Sequence, residues 1–156
     1  MRIESATERT CPGSPIDTTE ILHVLCVSPL EEDHSSLRAL IASPTCVLMK
    51  AYDLVSALAL LRRRDIAVVL CQRDLPPGSY RNVLEHINML PNAPSMIVVS
   101  RLADEQLWAE ALNLGAWDVL ATPFDRNEVV RTVASGWRHW QGLHLPEKTL
   151  KLAAAS

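Results

Sequence analysis

The chain has 156 residues, of which 48 % are hydrophobic and 21 % charged, with a formal net charge of −3. These values fit one globular domain with short flanking segments, large enough to bury a core without disulfide or metal staples. With 15 basic and 18 acidic residues the chain has no overall basic field to attract nucleic acid. No apolar run approaches the ~18 residues of a membrane span. The first ten residues, Met1–Thr10, lack the apolar core of a signal peptide, which points to a cytoplasmic location.

Residues 1–19 are polar, contain Pro12, Gly13 and Pro15, and read as a flexible leader. The folded domain is expected over residues 20–141, with residues 142–156 a tail outside it. Within the domain, apolar runs and helical patterns alternate. Ile21–Val27 is a short β-branched run. The following segment turns helical, with Leu37, Leu40 and Ile41 at i, i+3, i+4 and Glu31, Glu32 and Asp33 in the first turn, where the helix dipole favours anions. That acidic turn is expected to face water; a rim that recruits a metal is the alternative. Cys46–Ala51 is a second strand. Asp53 is placed to cap a helix carrying Leu54, Ala57, Leu58 and Leu61. Its basic end, Leu61–Asp65, reads as charge complementing the helix C-terminus rather than as a nucleic-acid patch.

Ile66–Cys71 is apolar throughout, the mark of a strand covered on both faces. The turn Asp74–Ser79 leads to a helix with Val83, Leu84, Ile87 and Leu90. Ser95–Ser100 is the fourth strand. A helix with Leu107, Trp108, Ala111, Leu112 and Leu114 stops at Gly115, the residue type favoured just past a helix end. Trp117–Ala121 is the fifth strand. Asp125 and Glu128 then have capping-box spacing ahead of a last helix whose face carries Val129, Val130, Val133, Trp137 and Trp140. Five strands alternating with five helices define an α/β domain with a parallel sheet.

The ordered set "AYDLVSALALL", "LP" after strand three, "VVS" closing strand four and above all "ALNLGAWDVLATPF" resembles the receiver domain of two-component response regulators, from about Ile21 to Trp140. The resemblance implies a flavodoxin-like (βα)5 fold, strand order 2-1-3-4-5, with the working site at the carboxyl ends of the strands. It also implies an acidic pair after strand one for Mg²⁺, an acceptor aspartate ending strand three and a lysine before the proline of strand five. Those places fall on Ser28 and Pro29, on Gln72 and on Thr122; only Ser100, the hydroxyl residue closing strand four, agrees with the family.

Loss of metal site, nucleophile and cation together leaves a pocket expected to be neutral. Gln72 is an amide with no charge to attack phosphorus, and Pro29 offers no side-chain oxygen to a metal. Asp74, two residues beyond Gln72, is a displaced acceptor only if the strand continues past the turn. The reading is therefore a non-enzymatic phosphorelay-type module that acts through protein contacts without metal or cofactor. Its partners would be a histidine kinase or another response regulator, or a second copy through the last two helices.

Trp108, Trp137 and Trp140 are the aromatic candidates for that surface, with Trp137 equally suited to the core. Val119 holds the place of the family's aromatic switch. An alternative reading makes the pocket of Ser28, Gln72, Ser100 and Thr122 a site for a small polar ligand.

Thiol chemistry is the remaining alternative. Cys11, Cys26, Cys46 and Cys71 show no zinc or C-x-x-C spacing. Cys26 and Cys71 near the ends of strands one and three have opposite pleat parity, which argues against a disulfide between them. The five histidines show no ligand spacing, and no Ser–His–Asp order, glycine-rich phosphate loop or H-E-x-x-H run is present.

Overall fold

The computed structural model describes residues 21–63 and 65–143. The expected leader, Cys11, and all of the tail beyond Leu143 lie outside these residues. The elements in chain order are β1 (Leu22–Val27), α1 (Glu31–Ile41), β2 (Cys46–Ala51), α2 (Leu54–Arg63), β3 (Val68–Gln72), β4 (Asp74–Leu75), β5 (Gly78–Ser79), α3 (Tyr80–Ile87), β6 (Ser95–Ser100), α4 (Glu105–Asn113), β7 (Asp118–Ala121) and α5 (Arg126–Leu143). The main sheet has five parallel strands in the order β2-β1-β3-β6-β7. This is the expected 2-1-3-4-5 order once the two-residue strands β4 and β5 are set aside.

Strand alternation builds two separate cores. Leu25 and Val27 of β1, Val69 and Cys71 of β3, and Met96 and Val98 of β6 face one layer, where Ala57 and Leu61 of α2, Val83, Leu84 and Ile87 of α3, and Leu107 and Ala111 of α4 cover them. Val24 and Cys26, Val68 and Leu70, and Ile97 and Val99 face the other, under Leu37 of α1 and Val129 and Val133 of α5. A strand buried on both faces needs apolar residues at successive positions, which is why β3 and β6 read as unbroken apolar runs.

Helix starts follow the sequence signals. Asp53 Oδ1 accepts from the Ser56 N–H at 2.8 Å and Asp125 Oδ2 from the Glu128 N–H at 2.9 Å. Asp104 caps α4 by accepting from the Leu107 N–H at 2.9 Å. Gly115 has φ 110°, the left-handed geometry that ends α4 at low steric cost.

Several boundaries differ from expectation by a few residues, and three of them bear on the site and its supports. β3 begins at Val68 rather than Ile66. The turn after β3 closes into the antiparallel pair β4–β5, Asp74 opposite Ser79, around Pro76 and Pro77. The last helix runs past Gly142 to Leu143. One glycine costs a helix only about 1 kcal/mol, and Trp137 and Trp140, packed on the second core, hold the preceding turns.

Gly136 sets how closely α5 approaches the sheet. Its carbonyl accepts from Ser95 Oγ at 2.8 Å. A Cβ there would lie 3.3 Å from Ser95 Cβ and 3.4 Å from Trp117 Cδ1. Gly136→Val should push α5 outward and destabilise the domain by about 1–3 kcal/mol. Urea unfolding would show this as a lower midpoint at an unchanged m-value.

Candidate functional site

Because the strands are parallel, Ser28, Gln72, Ser100 and Thr122, which end or follow β1, β3, β6 and β7, collect at one edge of the sheet. Gln72, Ser100 and Thr122 border an open cleft of about 750 Å³, whose lining also includes Pro29, Asp33 and Phe124, while Ser28 lies behind that lining, bonded to Asp33. Ser100 is buried and its Oγ accepts from the Leu102 N–H at 3.1 Å. The Thr122 N–H donates to the Ser100 carbonyl at 3.1 Å, which ties the ends of β6 and β7 together. The Thr122–Pro123 bond is cis.

The expectation of a neutral pocket, and of an acidic turn facing water, fails at Asp33. Glu31 and Glu32 do face solvent, but Asp33 is 7 % exposed. Its Oδ2 accepts from Ser28 Oγ at 2.6 Å and from Gln72 Nε2 at 2.9 Å. Ser28 Oγ in turn accepts from the Leu30 N–H at 3.1 Å. The helix phase explains the inward turn: Asp33 lies one turn before Leu37, on the stripe that α1 buries. Next to it His34 is fully buried, with Nε2–H donating to the Ser28 carbonyl at 2.9 Å and its ring 4.4 Å from that of Tyr52. Tyr52 hydrogen-bonds Glu31, and that bond, aided by Lys50 at 3.6 Å, holds the Glu31 carboxyl below the usual carboxylate range.

These donors do not suit Mg²⁺, which takes several oxygen ligands in near-octahedral array. Pro29 has no side-chain oxygen, the Ser28 hydroxyl and the Gln72 amide both spend a proton on Asp33, and Gln72 Oε1 accepts from the Arg73 N–H at 3.2 Å. Among the described residues, no group of three His, Cys, Asp or Glu side chains is placed to hold a metal ion. Asp74 opens β4, separated from the end of β3 by Arg73 alone, and is exposed and 3.3 Å from Arg73.

The thiols are poorly suited to sensing. Cys26 and Cys71 are buried on opposite faces of the sheet, as pleat parity predicts, and both are free. Burial, then the Asp33 and Glu31 charges, pushes the Cys26 thiol up to about 12, and burial raises Cys71 as well. Neither supplies the thiolate that oxidation needs.

The tryptophans separate. Trp108 on α4 is 51 % exposed, whereas Trp137 and Trp140 are half-buried against the core under α1 and α5. Trp140 lies within α5, partly buried against that core. Val119 is half-buried on the opposite core. Sequence periodicity missed Tyr80, fully buried at the start of α3, whose hydroxyl donates to Glu110 of α4 at 2.5 Å.

A doubly wound parallel sheet with its cleft at the carboxyl strand ends defines the flavodoxin-like class. Residues 24–134 match the model of the response regulator receiver domain, and the chain belongs to that family. Among solved structures it is similar to the signal receiver domain of an HD domain-containing protein from Pseudomonas fluorescens Pf-5, at 25 % identity and TM-score 0.72 over 79 % of this chain and 91 % of that one. It is also similar to the beryllofluoride-activated NtrC4 receiver domain dimer, at 22 % identity and TM-score 0.69 over 76 % and 98 %. A third is the receiver domain of the sensor histidine kinase PA1611 from Pseudomonas aeruginosa PAO1, with magnesium in its active site cleft, at 20 % identity and TM-score 0.67 over 75 % and 98 %. No curated protein matches the sequence.

Gln72→Asp tests the arrangement around Asp33. It removes a donor and sets a second carboxylate beside the first; two unit charges ~4 Å apart at an effective dielectric of 20 repel by about 4 kcal/mol. Partial exposure of the site reduces that, so a loss on the order of 1–3 kcal/mol is expected at neutral pH. Urea unfolding of the variant beside the parent would measure the loss as a lower midpoint.

Proposed function

We propose that the chain is a signalling receiver that takes no phosphoryl group and works through protein contacts. The observation that carries this reading is the bond from Gln72 Nε2 to Asp33 Oδ2 at 2.9 Å. It places an amide, already committed as a donor, at the end of β3, where the family resemblance expects a free carboxylate. An amide lacks the charge to attack phosphorus, and Thr122 supplies no cation for the charge that develops on a transferring phosphoryl group. Incubation with acetyl phosphate and Mg²⁺ should leave the intact mass unchanged, and beryllofluoride with Mg²⁺ should leave the amide NMR spectrum unchanged. A stable phosphoryl adduct, on Asp33, Asp74 or elsewhere, would overturn the reading.

Function then rests on a surface, and the favoured one surrounds α4 and β7. Trp108 on α4 is 51 % exposed, and large apolar side chains are also exposed before that helix, at Leu102, and at its C-terminal end, at Leu114. The similar structures include a receiver dimer and a receiver that is part of a histidine kinase, which supports a second receiver or a kinase as partner. Trp108→Ala should weaken self-association or partner binding by about 1–3 kcal/mol, as truncation of an interface aromatic does. The thermal midpoint should stay close to that of the parent, because an exposed side chain contributes little to the core. Size-exclusion chromatography and partner titration would decide it, and unchanged binding would move the interface off α4.

A further inference from the structure

We infer that the strand-end cleft is a receptor for one organic cation, an alkyl-guanidinium or alkyl-ammonium group, whose charge pairs with Asp33. The inference rests on the reading that no phosphoryl group enters the cleft. A buried carboxylate ordinarily has a countercharge, because neutral hydrogen bonds replace only part of its lost hydration. Asp33 has none: among the described residues the ion pairs are Lys50–Glu31, Arg73–Asp74 and Arg81–Glu110. Both of its donors, Ser28 Oγ and Gln72 Nε2, converge on Oδ2, which leaves Oδ1 to the cleft that Asp33 lines.

The remaining walls select the class of cation. Only one buried carboxylate faces inward, too few oxygens for a hard divalent ion. Pro29, Leu30, Leu102, Pro123 and Phe124 form an apolar rim along which an aliphatic stem can lie while its charged head reaches down. The lining carries three carboxylates, Glu32, Asp33 and Asp74, against two guanidinium groups. Arg73 pairs with Asp74 at 3.3 Å, and Arg101 is exposed. The cation could arrive on a free solute or on the arginine or lysine of a partner's segment, and its chemistry at Asp33 is the same.

The test is an amide NMR titration of the ¹⁵N-labelled full chain with butylguanidinium chloride. Butylurea serves as the neutral molecule of the same shape, and MgCl₂ and the peptide acetyl-Leu-Arg-Leu-amide are run in parallel. Butylguanidinium should give saturable shifts at Leu30, Gln72, Arg73 and Leu102, with none from butylurea or Mg²⁺. Asp33→Asn should weaken binding at least about tenfold. If that variant does not fold, the contrast between butylguanidinium and butylurea on the parent chain decides alone. Tighter binding of the peptide than of butylguanidinium assigns the cation to a protein segment, and equal binding assigns it to a solute. Equal shifts from butylurea, shifts outside the cleft, Mg²⁺ binding there, or no response to butylguanidinium would overturn the inference. Mass gain with acetyl phosphate would instead overturn the underlying reading of the cleft.

Discussion

Burial of β1, β3 and β6 on both faces is the constraint on which the rest of the molecule depends. Successive residues of these strands serve opposite layers, so neither face of the central sheet has room for polar chemistry. Polar side chains can emerge only where the strands end. Parallel pairing brings four of those ends to one edge, and the short β–α connections set the first turns of helices beside them. The cleft is thus a consequence of topology, and the side chains at the strand ends decide what the cleft can do.

At those ends a small hydrogen-bond network is centred on one carboxylate. Asp33 is reached from β1 by the Ser28 hydroxyl and from β3 by the Gln72 amide. Its position in the first turn of α1 adds the favourable field of the helix N-terminus. Burial first, and this carboxylate after it, push up the nearby Cys26 thiol. Gln72 bridges outward as well, since its Oε1 accepts from the Arg73 N–H at the start of the β3–β4 turn. The network therefore links β1, β3 and α1.

Much of this was legible in the sequence. Unbroken apolar runs marked the central strands, Asp53 and Asp125 marked helix starts, and pleat parity placed Cys26 and Cys71 on opposite faces. Asp33 was misread because a run of three acids at a helix start looks like a solvated turn. The signal that distinguishes it is phase: Asp33 is four residues before Leu37, whereas Glu31 and Glu32 fall outside that buried stripe. The end of the last helix differs for a related reason. Gly142 suggests a helix end, but packing of Trp137 and Trp140 on the sheet overrides so small a backbone preference. The β4–β5 hairpin was illegible because two-residue strands have no periodicity to detect. Tyr80 escaped notice because its partner is 30 residues away, and no local pattern reports such a contact.

That long-range contact ties α3 to α4. Tyr80 is buried at the start of α3, and its hydroxyl bridges to Glu110 on α4, which also pairs with Arg81. The Tyr80 hydrogen bond, followed by the Arg81 contact, holds the Glu110 carboxyl below its usual range. The charged acceptor is thereby favoured where α4 is tethered to α3. Leu107 and Ala111 on the same helix are buried, so α4 is fixed by packing on one side and by this polar link on another, while Trp108 is left outward. Val119, small and half-buried, provides no aromatic ring to swing between cleft and face. Trp108 is therefore carried outward by a helix held on two sides, by its buried apolar face and by the Tyr80–Glu110 link.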